Sequence, residues 1–104
     1  MKTIMLVCSA GMSTSLLVTK MEKSAAALGD DVKIFALPMS EGITKLKEVD
    51  CVLLGPQVRF NLGKIKEQAE KDHPGIPVDV IDMKDYGTMN GEKVYANAKK
   101  LMGE

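Results

Sequence analysis

Cys8 is followed by Ser9, Ala10, Gly11, Met12, Ser13, Thr14 and Ser15, a run dominated by small and hydroxyl-bearing side chains. Sulfur is a strong nucleophile as a thiolate, and small residues after it let backbone N–H groups approach whatever the sulfur holds. Two flanking patterns give the cysteine its place. Before it, Thr3 to Val7 is β-branched and apolar without charge, as in a strand covered on both faces. After it, Leu17, Met21, Ala25 and Leu28 recur at helical spacing and predict one apolar stripe. Cys8 is therefore expected at the carboxyl end of a strand, just ahead of a helix N-terminus. Unpaired amides and the positive end of the helix dipole favour anions there.

Ser13, Thr14 and Ser15 are expected to add hydroxyl donors and an N-cap. No lysine or arginine occurs between Cys8 and Lys20, so a phosphate held here would rely on amides and hydroxyls. An isolated cysteine is more often a small buried hydrophobe. The hydroxyl-rich turn favours chemistry instead, with Cys8 as the reacting group and residues 9–15 as its anion-binding loop.

Composition narrows the classes. The chain has 104 residues, 45% hydrophobic and 27% charged, with a formal net charge of zero. That fits a single domain over residues 1–104 that folds without staples. No basic field attracts nucleic acid, and 4% aromatic content is poor for stacking bases. Two cysteines do not make a disulfide framework, so a reduced, cytoplasmic setting is expected. The apolar stretch Ile4 to Val7 is too short for a signal-peptide core or a membrane span, and any membrane role must come through a partner.

The rest of the chain alternates strands and helices. Gly29 is placed to end the first helix, and Val32 to Ala36 reads as an edge strand because it contains Lys33. Ser40 and Glu41 are expected to open a short helix carrying Ile43 and Leu46, weakened by Gly42. Cys51 to Leu54 is a central strand closed by Gly55-Pro56, and Val58, Leu62, Ile65 and Ala69 share one helix face. Pro77 to Ile81 supplies the opposite edge, and Asp82 to Asn90 is an ambiguous connection in which Tyr86-Gly87 and Asn90-Gly91 signal turns. A last helix carries Val94, Ala98 and Leu101. The expected fold is an α/β three-layer sandwich with a four-stranded parallel sheet, order 2-1-3-4, and helices on both faces. Cys8 then sits at the switch point between strands 1 and 3, where open sheets bind ligands.

Three residues are candidate neighbours of Cys8: Gln57 as a side-chain donor, Arg59 as a contact to phosphate or partner, and Tyr86 at the border of the site. Met12 in the loop is a candidate partner contact, whereas Met5, Met21 and Met102 are expected in the core. Cys51 begins one strand and Cys8 ends its parallel neighbour, so the thiols are expected at opposite ends of the sheet and no disulfide is expected. His73 has no companions for metal or base chemistry and is expected at the surface. No metal or cofactor is expected.

The stretch Ile4-Met5-Leu6-Val7-Cys8-Ser9-Ala10-Gly11-Met12-Ser13-Thr14-Ser15-Leu16-Leu17 resembles the lactose/cellobiose-type IIB component of the bacterial sugar phosphotransferase system, including its N,N′-diacetylchitobiose members. Val52 to Val58, Val80-Ile81-Asp82 and Tyr86-Gly87 support the resemblance. It implies a phosphoryl carrier. Cys8 would take the group from a phosphohistidine on a IIA protein and pass it to a β-linked disaccharide held by a membrane IIC partner, with the carrier itself a monomer. Low-molecular-weight protein-tyrosine phosphatases are the alternative enzyme. They place an arginine six residues after the cysteine, where this chain has Thr14, and an Asp-Pro acid, where Asp82 and Asp85 precede Met83 and Tyr86. A non-catalytic flavodoxin-like module is the alternative outside enzymes, and a receiver of that kind would need acids where Cys8 and Gly55 stand.

Overall fold

The computed structural model describes residues 2–9 and 12–103, with side chains for all of these except 12–14. Four strands, β1 (Lys2–Cys8), β2 (Val32–Pro38), β3 (Cys51–Leu54) and β4 (Val78–Val80), form one parallel sheet in the order β2-β1-β3-β4. Between and after them run helices α1 (Met12–Ala27), α2 (Met39–Gly42), α3 (Leu62–Asp72), α4 (Met83–Gly87) and α5 (Gly91–Leu101). The expected strand order and central pair are those observed.

Alternation along the central strands divides the core in two. Ile4 and Leu6 of β1 with Cys51 and Leu53 of β3 face a layer built from Leu17, Met21 and Ala25 of α1 and Val94, Tyr95 and Ala98 of α5. Met5, Val7, Val52 and Leu54 face the other way, onto Ile65 and Ala69 of α3 and onto Leu46 and Val49. Both faces being covered explains why β1 and β3 read as unbroken apolar runs.

Several local expectations change. α1 stops at Ala27, and Leu28 turns out of the stripe with 63% of its surface exposed. The Leu28 N–H still bonds back to Ser24 and Ala25, and Gly29 takes the left-handed φ of 74° that ends the helix. Ser13 to Ser15 fall within α1, which starts at Met12, rather than before it. α2 covers only four residues after an uncapped start at Pro38, and Leu46 lies in a separate 3₁₀ turn, Leu46–Glu48. Gly42 is required by packing, since a Cβ there would lie 2.9 Å from Cγ2 of Val7.

The stretch Pro56–Asn61 is also 3₁₀, so α3 begins at Leu62 and Arg59 precedes it. His73 is half-buried, and its Nδ1 lies 3.1 Å from the Leu46 carbonyl, tying the end of α3 to that 3₁₀ turn. Residues 82–90 contain the short helix α4. Asp82 opens it by accepting from the backbone N–H groups of Lys84 and Asp85 at 2.9 and 3.2 Å.

Candidate functional site

A parallel sheet brings every strand's carboxyl end to the same edge, so the segments after β1, β3 and β4 converge there. Cys8 is the last residue of β1 and α1 starts four positions later. The thiol therefore precedes a helix of 16 residues whose N-terminal amides and dipole favour negative charge. Cys8 has the strand parity of Ile4 and Leu6, which puts it on the α1 and α5 side of the sheet.

Only 3% of Cys8 is exposed, and its Sγ lies 4.0 Å from the carbonyl oxygen of Leu37 in β2, the outer limit of an S–H···O contact. Ser9 is exposed. Ala10 and Gly11, and the side chains of Met12, Ser13 and Thr14, lie outside the described residues. Ser15 is exposed, and its carbonyl accepts the Thr19 hydroxyl at 3.2 Å.

The wall opposite α1 is the turn after β3. Gly55 extends the sheet by one bond, its N–H donating to the Val7 carbonyl at 2.8 Å. A Cβ on Gly55 would stand 3.0 Å from Oε1 of Gln57, 3.5 Å from the Val7 oxygen and 3.6 Å from Cε1 of Tyr86. Gln57 and Tyr86 are thus both brought against the residue beside the end of β1, Gln57 exposed and Tyr86 buried.

Arg59 is differently engaged: its Nη1 donates to the Pro56 carbonyl at 2.9 Å, and its guanidinium stacks 4.5 Å from the Phe60 ring centre. Phe60, 81% exposed, lies on this edge of the sheet together with exposed Leu16 of α1 and Met83 of α4. Sequence reasoning missed this apolar rim, because nothing in a helical stripe tells which flanking residue stays uncovered.

The second cysteine is different in kind. Cys51 pairs with Ile4, four residues back from Cys8 along β1, so the thiols lie at opposite ends of the sheet and neither forms a disulfide. Burial, with Asp79 and Asp50 nearby, pushes the Cys51 thiol up to about 12. It has almost no thiolate at neutral pH and behaves as core. Among the described residues no group of carboxylates, histidines and cysteines could hold a metal ion, and no helix is long and apolar enough to cross a membrane.

Comparison with known proteins agrees with this arrangement. Over residues 3–97 the chain matches the family model described as "PTS system, Lactose/Cellobiose specific IIB subunit". It is 49% identical to the galactose-specific EIIB component of Lactococcus lactis subsp. cremoris, over 97% of this chain and 96% of that one. It is 43% identical to the oligo-beta-mannoside-specific EIIB component of Bacillus subtilis, over 98% and 97%.

The solved cellobiose-specific IIB component of Borrelia burgdorferi superposes with a TM-score of 0.80 at 41% identity, covering 98% of this chain and 92% of that one. A lactose-specific IIB domain of Streptococcus pneumoniae shares the fold, with a TM-score of 0.84 at 17% identity over 95% of each chain. A sheet of order 2-1-3-4 with a cysteine closing its first strand is thus joined to sequence identity along nearly the whole chain, and the protein belongs to the lactose/cellobiose-specific IIB family of the sugar phosphotransferase system.

Proposed function

We propose that this protein carries a phosphoryl group on Sγ of Cys8 between a phosphohistidine of a IIA partner and a β-linked disaccharide bound by a membrane IIC partner. The observation that carries the reading is the position of Cys8, which closes a central strand immediately before the N-terminus of α1.

In the first transfer the sulfur attacks phosphorus and the N–P bond breaks. The electron pair returns to the imidazole, which takes up the proton that the thiol loses. In the second, a sugar hydroxyl attacks phosphorus, the S–P bond breaks, and the hydroxyl proton restores the thiol. Both steps move an anion between partners, so positioning and stabilised negative charge supply the catalysis. Backbone amides at the start of α1 favour that charge without a bound cation.

The rim of Leu16, Phe60 and Met83 supports docking of partners over this same edge, because exposed apolar groups around a reactive centre gain from being covered. Relatives named for galactose and oligo-beta-mannoside fit a carrier whose sugar is selected elsewhere, by the membrane partner. The test compares wild type, Cys8→Ser and Cys51→Ser with the phosphorylated IIA partner. Wild type and Cys51→Ser are expected to deliver phosphate to sugar in the presence of IIC membranes, and Cys8→Ser to deliver none. Sugar phosphorylation by Cys8→Ser at the wild-type rate would overturn the proposal.

A further inference from the structure

Three close contacts link the Gly55 turn to α1, the two segments that flank the end of β1, through one short stretch of chain. On one side the Tyr86 ring of α4 lies against Gly55, where a Cβ would be 3.6 Å from Cε1 of Tyr86. Gly55 is in turn bonded to the end of β1 through the Val7 carbonyl at 2.8 Å. On the other side Gly91, the first residue of α5, meets the backbone of α1 so closely that a Cβ would be 2.6 Å from both the carbonyl carbon and the Cβ of Lys20 and 2.7 Å from the Met21 nitrogen.

The residues between are held tightly. The Met89 N–H donates to Tyr86 at 3.1 Å, Asn90 to Asp85 at 2.8 Å and Gly91 to Met89 at 3.0 Å. The Asn90 side chain accepts from Lys93 N–H at 3.1 Å, and Met89 adopts a left-handed φ of 53°, costly for a residue with a Cβ. A strained residue between two seated neighbours persists only where the surroundings over-determine the path of the chain.

We infer that residues 82–91 form a brace that sets the distance between the Gly55 turn and α1, with Tyr86 and Gly91 as positioning residues for phosphoryl transfer at Cys8. α1 is the helix whose first amides follow Cys8, so anything that pushes α1 from α5 re-aims those amides. Relaxing a contact of 2.6 Å to the ordinary 3.4 Å demands a displacement of about 0.8 Å. Misplacement on the order of 1 Å costs about a hundredfold where catalysis is positioning.

This inference rests on the phosphoryl-carrier reading for its kinetic arm and has a second arm that does not. Gly91→Ala is compared with Gly63→Ala, the same change at a site on α3 with nothing within 4 Å. With the phosphorylated IIA protein as donor, Gly91→Ala is expected to lose at least tenfold in the maximal rate of phosphoryl acceptance, with its KM for the donor within twofold of wild type. Gly63→Ala should match wild type in both. Independently, amide chemical shifts in Gly91→Ala should move at Gly55 and through residues 12–20 as well as at the mutated turn.

Should Gly91→Ala not fold, Met89→Gly, which suits the left-handed backbone and slackens the stretch, is expected to show the same spread of shifts and a several-fold slower transfer. Shift changes confined to residues 86–94 in a folded variant, or transfer at the wild-type rate, would overturn the brace. A wild-type protein that takes no phosphoryl group on Cys8 overturns the carrier reading, and the shift pattern then decides the brace without it.

Discussion

Cys8 and Cys51 have the same side chain in the same sheet and opposite chemistry. Cys51 is sealed in the core, where burial pushes its thiol up to about 12, so its thiolate is scarce at neutral pH. Cys8 ends its strand at the open edge of the sheet. Iodoacetamide at neutral pH is therefore expected to label Cys8 faster than Cys51 in the folded protein. Peptide mapping checks this, and equal labelling would contradict it.

The same residue scale shows what the loop lacks. No lysine or arginine lies between Cys8 and Lys20, so on the proposed reading the loop itself offers a phosphocysteine only neutral donors, which would leave it a good donor. Thr14→Arg would add a charge-assisted, bidentate clamp and is expected to slow onward transfer to sugar about tenfold. Single-turnover transfer from the phosphorylated variant measures it, and a rate equal to or above wild type contradicts the reasoning.

At the scale of elements, the helix pair α1 and α5 is joined at one end by Gly91 and at the other by Asp30. Asp30, in the turn after α1, accepts from the Tyr95 hydroxyl at 2.8 Å and the Lys99 ammonium at 2.7 Å. The Lys99 hydrogen bond, then that of Tyr95, hold its carboxyl below the usual 3.8. A carboxylate with a depressed folded-state pKa contributes stability that is fully present above the unfolded value and is lost as pH falls through the folded one. Urea unfolding of wild type is thus expected to weaken more steeply below pH 3.8 than that of Asp30→Asn, which has no such proton to gain. Identical pH dependence in the two proteins would contradict the linkage.

These elements also show where sequence patterns carried and where they stopped. The stripe Leu17, Met21, Ala25 marked α1 correctly because a helix must bury one face, yet the same spacing included Leu28, which the Gly29 turn throws outward. Asp82 went unread as a cap, although Asp82 with Asp85 three residues on is an N-terminal signal; neighbouring Gly87 and Asn90-Gly91 read more strongly as turns. Tyr95 escaped altogether: its partner Asp30 is 65 residues away in sequence, and no local period encodes such a contact.

For the whole molecule, the placement of Cys8 between a strand and a helix was legible because β1, Cys8 and α1 are consecutive in sequence. Strand order followed from hydropathy, since the two strands without charge belong in the middle. The exposure of Leu16, Phe60 and Met83 was not legible, because each follows the carboxyl end of a different strand and only the fold tells that none is covered. On the proposed carrier reading, one edge serves both donor and acceptor. Phe60→Asp, which puts a charge into that rim far from the sulfur's own contacts, is expected to raise the KM for the phosphorylated IIA protein about tenfold while the melting temperature stays within a few degrees of wild type. An unchanged KM would remove Phe60 from the interface.

The most direct measurement is of the bond itself. Wild-type protein incubated with the phosphorylated IIA partner is digested, and the modified peptide is identified by mass spectrometry, with phosphorus NMR of the intact protein reporting the atom to which phosphorus is joined. The account predicts a single phosphoryl group on the peptide containing Cys8, with the resonance and acid lability of a thiophosphate. A phosphoryl group on His73 or on a serine of the loop, with Cys8 unmodified, would contradict it.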